Sequence, residues 1–288
     1  MSPLLFGVSL STSAAPDADP VGRARTAEEL GFDFVSASDH PSGTHPTYET
    51  WTMLTWVAAA TSRIGVMSRV LSLPFRSPAL VAKMAESLDR FAGNRLILGL
   101  GAGAADPELR AFGLPVPTAR DKVDGLEDAL KIIRGVWEQP AFSYAGRIYG
   151  TQMAEVEPKP QRPIPIWLGT FGPRTLALTG RYADGWIPSL GYAGAGRLAG
   201  MRAAVLAAAQ EAGRAPGAVT CALHLEVSVG GRALADPDIV SGSPGEIAGR
   251  LSELIAAGFT AFSFSPAGPR PAGEQVERLA ADVLPLLR

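Results

Sequence analysis

Residues 27–38 read AEELGFDFVSAS, and residues 254–265 read LIAAGFTAFSFS. Each stretch is the tail of a helix, a glycine that stops it, and a phenylalanine leading into a short apolar, β-branched or aromatic run. Each is one helix-to-strand step, and its recurrence near both ends of the chain points to repeated βα units.

Working outward, eight runs have the length and pattern of buried strands. They are FGVSL from Phe6, FDFVSAS from Phe32, RIGVMSRVL from Arg63, RLILGLG from Arg95, IPIWLG from Ile164, GWIPSL from Gly185, VTCALHLEVSV from Val219 and FTAFSFS from Phe259. Helical patterns with legible starts lie between them. Asp19-Pro20 opens the first. Ser77-Pro78 opens another, with Leu80, Met84, Leu88 and Phe91 as its expected apolar face and Gly93 as its stop. Thr118 caps a third, whose stripe is Val123, Leu126, Leu130, Ile133 and Trp137. Ser243-Pro244-Gly245-Glu246 is a capping box before Ile247, Leu251, Leu254 and Ile255. Strand and helix alternate with no polar linker, so the expectation is a single α/β domain over residues 1–288. Eight βα units in about 250 residues fit a closed (β/α)8 TIM barrel. Residues 139–163, rich in Pro and Gly, form the expected insertion between helix 4 and strand 5, placed near the active face. A doubly wound open sheet is the alternative; its support is GLGAGA at Gly99, a loose nucleotide-loop match followed by Pro107 rather than a clean helix.

Composition narrows the function. With 47% hydrophobic and 19% charged residues, and 26 Lys+Arg against 28 Asp+Glu, neither disorder nor nucleic-acid binding is suggested. The one cysteine, Cys221, has no partner for a disulfide or a metal-binding pair, which fits a reducing, cytoplasmic setting. The N-terminal apolar run lacks a basic flank and reads as strand rather than signal, and no run is long enough for a membrane span.

In a barrel, reactive groups belong at the C-terminal ends of strands. The second strand ends in Asp39-His40, an acceptor beside a group that titrates near neutral pH; a polar turn is the bland alternative. The fourth ends in glycines, including Gly101 and Gly103, which allow either a ligand or a tight strand exit to approach the backbone. The fifth ends in Gly169-Thr170-Phe171-Gly172-Pro173-Arg174, a helix start suited to phosphate or to nothing more than Gly-Pro capping. No HxH, HExxH, Cys/His cluster, GxSxG or Walker motif is present, so no metal site is expected. A cofactor that carries the chemistry itself becomes attractive.

Four blocks in order, AEELGFDFVSASDH (27–40), AAATSRIGVMSRVLSLPFRSPALVAKMAESLDRFAGNRLILGLGAG (58–103), AFGLPV (111–116) and EPKPQRPIPIWLGTFGPRTLALTGRYADGWIP (157–188), give the chain its family resemblance. It resembles the bacterial luciferase-like flavin and deazaflavin oxidoreductases, in the branch that uses coenzyme F420. The resemblance implies a (β/α)8 barrel with the tricyclic ring across its C-terminal mouth. It implies that Asp39 and His40 lie beside the ring, with His40 giving or taking a proton. It places Ser68, Arg69 and Val70 at a third-strand bulge behind the ring, where relatives often have a non-proline cis peptide. It assigns the cofactor phosphate to Gly169, Thr170, Phe171 and Gly172, with Arg174 assisting. Sugar-phosphate dehydrogenases of the family carry a catalytic Glu just past the fourth-strand glycines, where this chain has Ala104; Glu108 lies further on. That departure speaks against a sugar phosphate and leaves the substrate open.

The expected activity is hydride transfer between F420 and a small organic substrate. An FMN-dependent monooxygenase fed by a separate reductase is the alternative, and a non-catalytic flavin- or deazaflavin-binding protein is the alternative of another class. A homodimer is implied by the family and permitted by the apolar helices near Trp51 to Ala60. Expected lids are the insertion around Tyr144 and Tyr149, residues 190–196, and the loop from Pro266 that carries Arg270.

Overall fold

The computed structural model describes residues 3–230 and 234–288. Met1, Ser2 and residues 231–233, which fall within the expected span 1–288, lie outside the described residues. All eight expected runs form strands: β1 (Leu5–Ser9), β2 (Phe34–Ala37), β3 (Gly65–Ser68), β4 (Leu96–Gly101), β5 (Ile166–Leu168), β6 (Gly185–Trp186), β7 (Thr220–Val229) and β8 (Ala261–Pro266). Each pairs in parallel with its chain neighbour, and β8 pairs back onto β1, so the sheet closes. Closure excludes the doubly wound alternative; after Gly103 comes only a short helix, Asp106–Ala111.

The outer ring is α1 (Pro20–Glu29), α2 (Thr50–Ala60), α3 (Pro78–Phe91), α4 (Ala119–Glu138), α5 (Pro173–Tyr182), α6 (Ala195–Glu211), α7 (Pro244–Ala256) and α8 (Ala272–Arg278). The starts follow the sequence signals. Asp19, Ser77 and Thr118 accept from first-turn amides, and Ser243 and Glu246 make the reciprocal capping box. Gly93 and Gly258, past the ends of α3 and α7, have φ of 63° and 93°, which glycine adopts without penalty.

Strand register sorts side chains into two layers. Outward residues such as Val35, Val66, Leu98 and Ile166 are fully buried beneath the helices. Inward, Phe34 and Trp167 meet edge to face with ring centroids 6.1 Å apart and fill the lower barrel with Met67, Ala222 and Ala261. Room for them comes from glycines: a Cβ on Gly7 would lie 2.4 Å from the Phe34 ring, and one on Gly185 would lie 2.5 Å from Trp167.

Two expectations change. The apolar face of α3 is not Leu80–Met84–Leu88–Phe91, since Leu80 and Phe91 are exposed and the buried side is Val81, Ala82, Ala85 and Leu88. Small residues let the helix approach the barrel, and buried Glu86 and Asp89 find Arg90 and Arg162 there. The insertion contains an antiparallel hairpin, Phe142–Ala145 with Gly150–Ala154, that climbs the outside of α4. Tyr144 Oη donates to Asp128 Oδ1 at 3.0 Å, and the Ile148 and Tyr149 amides donate to Oδ2 at 2.7 and 3.1 Å. These tyrosines are thus packed onto a helix rather than over the mouth. Helix-to-strand connections leave from the lower rim of a barrel, but the hairpin tip reaches the start of α4, where Arg147 lies 3.2 Å from Asp124.

Near the lower rim, Glu28 at the end of α1 accepts amides from Ser62, Arg63 and Ile64 at 3.0, 2.7 and 2.8 Å, fixing the turn into β3. Burial pushes its carboxyl up, but these donors outweigh it and hold the pKa at about 2, against 4.5 ordinarily. A depressed carboxyl stabilises the fold fully above its unfolded pKa and loses that contribution as pH falls through the folded one. Glu28→Gln is therefore expected to cost about 2 kcal/mol at neutral pH. In urea melts the gap from wild type should close between pH 4.5 and 2.

Candidate active site at the barrel mouth

The inward rows change character as they rise. Phe34 is followed two residues on by Ser36 and then Ser38; Ala261 by Ser263 and Ser265; Gly7 by Ser9; Met67 by Arg69; Ala222 by His224. An apolar plug therefore gives way to a polar upper layer, in which Ser36 and Ser263 hydroxyls lie 2.9 Å apart. On the side where the ends of β1 and β8 meet α1 and α8, a cavity of about 820 Å³ opens, lined by Ser9, Ser38, Arg69 and Ser265 from the strand ends and by Thr26 and Val276 from the helices.

Beside this cavity, β3 bulges. The Arg69–Val70 peptide is cis. Ser68, fully buried, donates from Oγ to the Gly99 carbonyl at 2.9 Å and accepts the Gly99 amide at 3.0 Å. A Cβ on Gly99 would lie 1.8 Å from the Ser68 carbonyl oxygen, so only glycine permits this approach. The Val70 side chain faces Gly101 and Gly169, where an added Cβ would meet it at 2.8 and 3.2 Å. Gly103 has φ 91°, and its Cα faces Pro74. The structure thus brings Ser68, Val70, Gly101 and Gly169 together, with Gly103 at the exit.

Asp39, one of the two residues expected beside the ring, sits just past the end of β2. Its side chain is wholly buried, with Arg76 at 2.7 and 3.2 Å and the Ser72 amide at 3.0 Å. Arg76 also holds Glu49, the N-cap of α2, at 2.6 Å. Burial pulls the guanidinium pKa down, and the two carboxylates more than reverse this, so it stays charged. Asp39 is therefore an anchor that fixes the strand end. His40 remains exposed at the rim, and its Nδ1 lies 2.7 Å from Glu108 Oε1. A carboxylate only accepts, so Nδ1–H donates to Glu108 and Nε2 is the ring nitrogen left to exchange a proton.

At the end of β5, Thr170 turns away from the mouth: its Oγ meets Thr179 Oγ at 2.8 Å, while its carbonyl accepts from Trp186 Nε1. Phe171 is half-buried, with Tyr192 edge-on at 6.1 Å. Gly172 caps α5 without any side-chain cap, so this helix start keeps backbone donors for a ligand. Arg174 does not reach over that start; it pairs with Asp124 at 2.5 Å because Asp124 gathers Arg147 and Arg174 at the rim. Arg270 pairs with Glu274 one helical turn on, as a solvated loop arginine would.

Sequence reasoning missed Arg76 and the placement of Glu108. Arg76 sits in LPFRSP just before the α3 cap, and nothing local marks it. Glu108 lies in a short helix after β4 that folds across to β2, a contact 68 residues apart in the chain.

These features define a closed parallel barrel with a ligand-binding mouth at the C-terminal ends of its strands. Residues 4–236 match the family model of the luciferase-like monooxygenases, and the chain belongs to that family. It is 30% identical to an F420-dependent glucose-6-phosphate dehydrogenase of Kineococcus radiotolerans, over 99% of this chain and 98% of the relative. It is 34% identical to an F420-dependent hydroxymycolic acid dehydrogenase of Mycobacterium tuberculosis over 68% of this chain, spanning 55% of that relative's length. Among solved structures, an F420-dependent secondary alcohol dehydrogenase in complex with an F420–acetone adduct superposes with a TM-score of 0.87, at 20% identity and 99% coverage of both chains, which supports the fold.

Removing Arg76 strands the buried Asp39 charge. Arg76→Met is expected to destabilise the protein by about 3–5 kcal/mol in urea denaturation. Asp39→Asn should cost less, because it leaves no buried anion. A loss below about 1 kcal/mol for Arg76→Met would mean that Asp39 is solvated rather than anchored.

Proposed function

We propose that this protein is a coenzyme F420-dependent oxidoreductase that moves a hydride between the deazaflavin and a small organic substrate. The observation that carries the reading is the whole-length similarity to the Kineococcus F420-dependent dehydrogenase. The mouth fits such a group on its own chemistry. The uncapped start of α5, where a Cβ on Gly172 would meet only the Thr175 hydroxyl at 3.7 Å, suits a phosphate. The Ser68–Val70 bulge, with Gly101 and Gly169 against Val70, forms one wall for a flat ring, and Gly103 closes the strand exit. When bound, the deazaflavin supplies a hydride-carrying carbon where a flavin has N5, which favours two-electron transfer over reaction with oxygen.

In this reading His40 is the catalytic residue and moves a proton at Nε2, with Glu108 as the positioning residue that fixes the tautomer from Nδ1. Asp39 acts through the backbone, holding the β2 end against Arg76. Glu108 thus supplies, from a different position, a carboxylate beside the histidine even though Ala104 is not acidic. Gly169, Phe171 and Gly172 contribute backbone to the phosphate; Thr170 contributes its backbone, and Arg174 acts only through Asp124. Residues 1–288 act as a single domain. The protein works in the cytoplasm as a homodimer, a reading supported by the buried, unpaired Cys221 and by exposed Trp56, Leu80 and Phe91 on α2 and α3. A cofactor reductase is needed only to supply reduced F420.

Equilibrium titration of the purified protein with F420 and, separately, FMN tests the cofactor. Tight F420 and weak FMN binding is the expected result; preference for FMN would overturn the reading and favour a monooxygenase. With reduced F420 and a reducible substrate, His40→Ala should lower kcat by about 10²–10⁴ while F420 still binds. Glu108→Gln should lower kcat by less and leave KM nearly unchanged.

A further inference from the structure

Arg69 lends its backbone to the β3 bulge, with a cis peptide to Val70, while its side chain runs the other way. It follows the inward row Gly65–Met67–Arg69 into the polar upper layer and lines the 820 Å³ cavity together with Ser9, Ser38 and Ser265. Its Nη2 donates to Ser9 Oγ at 3.1 Å. Neither Nε, which is buried, nor Nη1 meets an acceptor among the described residues, and Arg69 forms no ion pair there. The neighbouring His224 offers no negative charge: its Nδ1 meets the Ser263 carbonyl at 2.9 Å, and burial together with Arg69 keeps the ring neutral. The other charged residues in the lining, Asp19, Arg23 and Glu277, are all exposed.

A guanidinium in this place is costly. Burial lowers its pKa only to about 10, so it remains a cation at neutral pH without a counter-charge. Other partly buried guanidinium groups are answered: Arg76 by Asp39 and Glu49, Arg162 by Asp89, and Arg95 by the carbonyls of Ala58, Thr61, Ile64 and Ala92. Arg69 has one hydroxyl acceptor, Ser9, among the described residues, and its side chain faces a cavity. A planar anion with two oxygens matches a fork whose N–H groups lack acceptors, and the surrounding serine hydroxyls can donate to the same oxygens. One interior cation suits a monoanion better than a phosphate dianion.

We propose that the Arg69 side chain, with Ser9, is the anion-recognising subsite of the substrate pocket, and that the substrate carries a carboxylate close to the carbonyl or conjugated alkene that is reduced. This rests on the oxidoreductase reading above for the word substrate, but the subsite can be tested without turnover. The probes are crotonate and crotonamide, which share shape and differ in charge, measured by saturation-transfer NMR titration on the purified protein. Wild type is expected to bind crotonate about tenfold or more tightly than crotonamide. Arg69→Gln should bind the two alike, and Arg69→Lys, which keeps the charge without the fork, should fall between; it also serves if Arg69→Gln does not fold. Equal affinities in the wild type, or a crotonate preference that survives in both variants, would overturn the proposal. The anion could instead come from the cofactor ring, so the titration is repeated with F420 bound. Retained crotonate preference supports a substrate subsite, whereas displacement of crotonate by F420 would assign Arg69 to the cofactor and overturn it. Failure of F420 to bind at all would sink the oxidoreductase reading and leave the crotonate comparison on the free protein intact.

Discussion

The inside of the barrel has to be filled, and everything above it depends on how that is done. Phe34 and Trp167 occupy the lower interior because Gly7 and Gly185 leave them room. A side chain at either glycine would force the strands apart where the parallel register is set. Because this layer is apolar and buried, the inward polar side chains sit in the next row up. Side chains alternate with period two along each strand, so a single apolar layer at the bottom commits the row above to whatever the sequence places two residues later. Here those residues are Ser36, Ser263, His224 and Arg69.

The strand ends then differ in how firmly they are held. At β2 the Asp39–Arg76–Glu49 chain ties a strand end to the N-terminus of α2 and to the turn before α3. At β3 and β4 the reciprocal Ser68–Gly99 pair locks two strands backbone to side chain. His40, by contrast, is largely exposed, and Glu108 is its side chain's hydrogen-bond partner among the described residues. Rigid supports thus surround one side chain that can move, an arrangement suited to a group that must both hold and release a proton.

Much of the fold was legible because its signals are local. Apolar runs bounded by Gly and Pro, and caps at Asp19, Ser77, Thr118 and Ser243, each depend on fewer than about six neighbouring residues. The face of α3 was misread because Leu80 and Phe91 are as apolar as Val81 and Leu88; hydrophobicity alone does not say that close approach to the barrel favours the alanine side. Within the mouth, the backbone positions around Gly101 and Gly169 could be found from glycine spacing. The side-chain pairings could not. Arg76 with Asp39, Glu108 with His40, and Arg174 with Asp124 join distant segments, and any of several nearby charges would have satisfied the same sequence pattern. The direction of the Arg69 side chain was nevertheless implicit in the alternation of β3, once the strand's inward face is known.

The hairpin of residues 142–154 rests on the outer face of α4, where Phe142 and Tyr149 pack on it and Asp128 takes a hydroxyl and two amides from it. None of its residues contributes to the eight-strand closure. Its length can therefore drift over evolutionary time without altering the barrel, but a descendant that lost it would bare the face of α4 that Phe142 and Tyr149 cover, while Asp128 would simply turn to water. The insertion and the glycines it packs on, Gly125 and Gly135, are, in effect, one heritable unit.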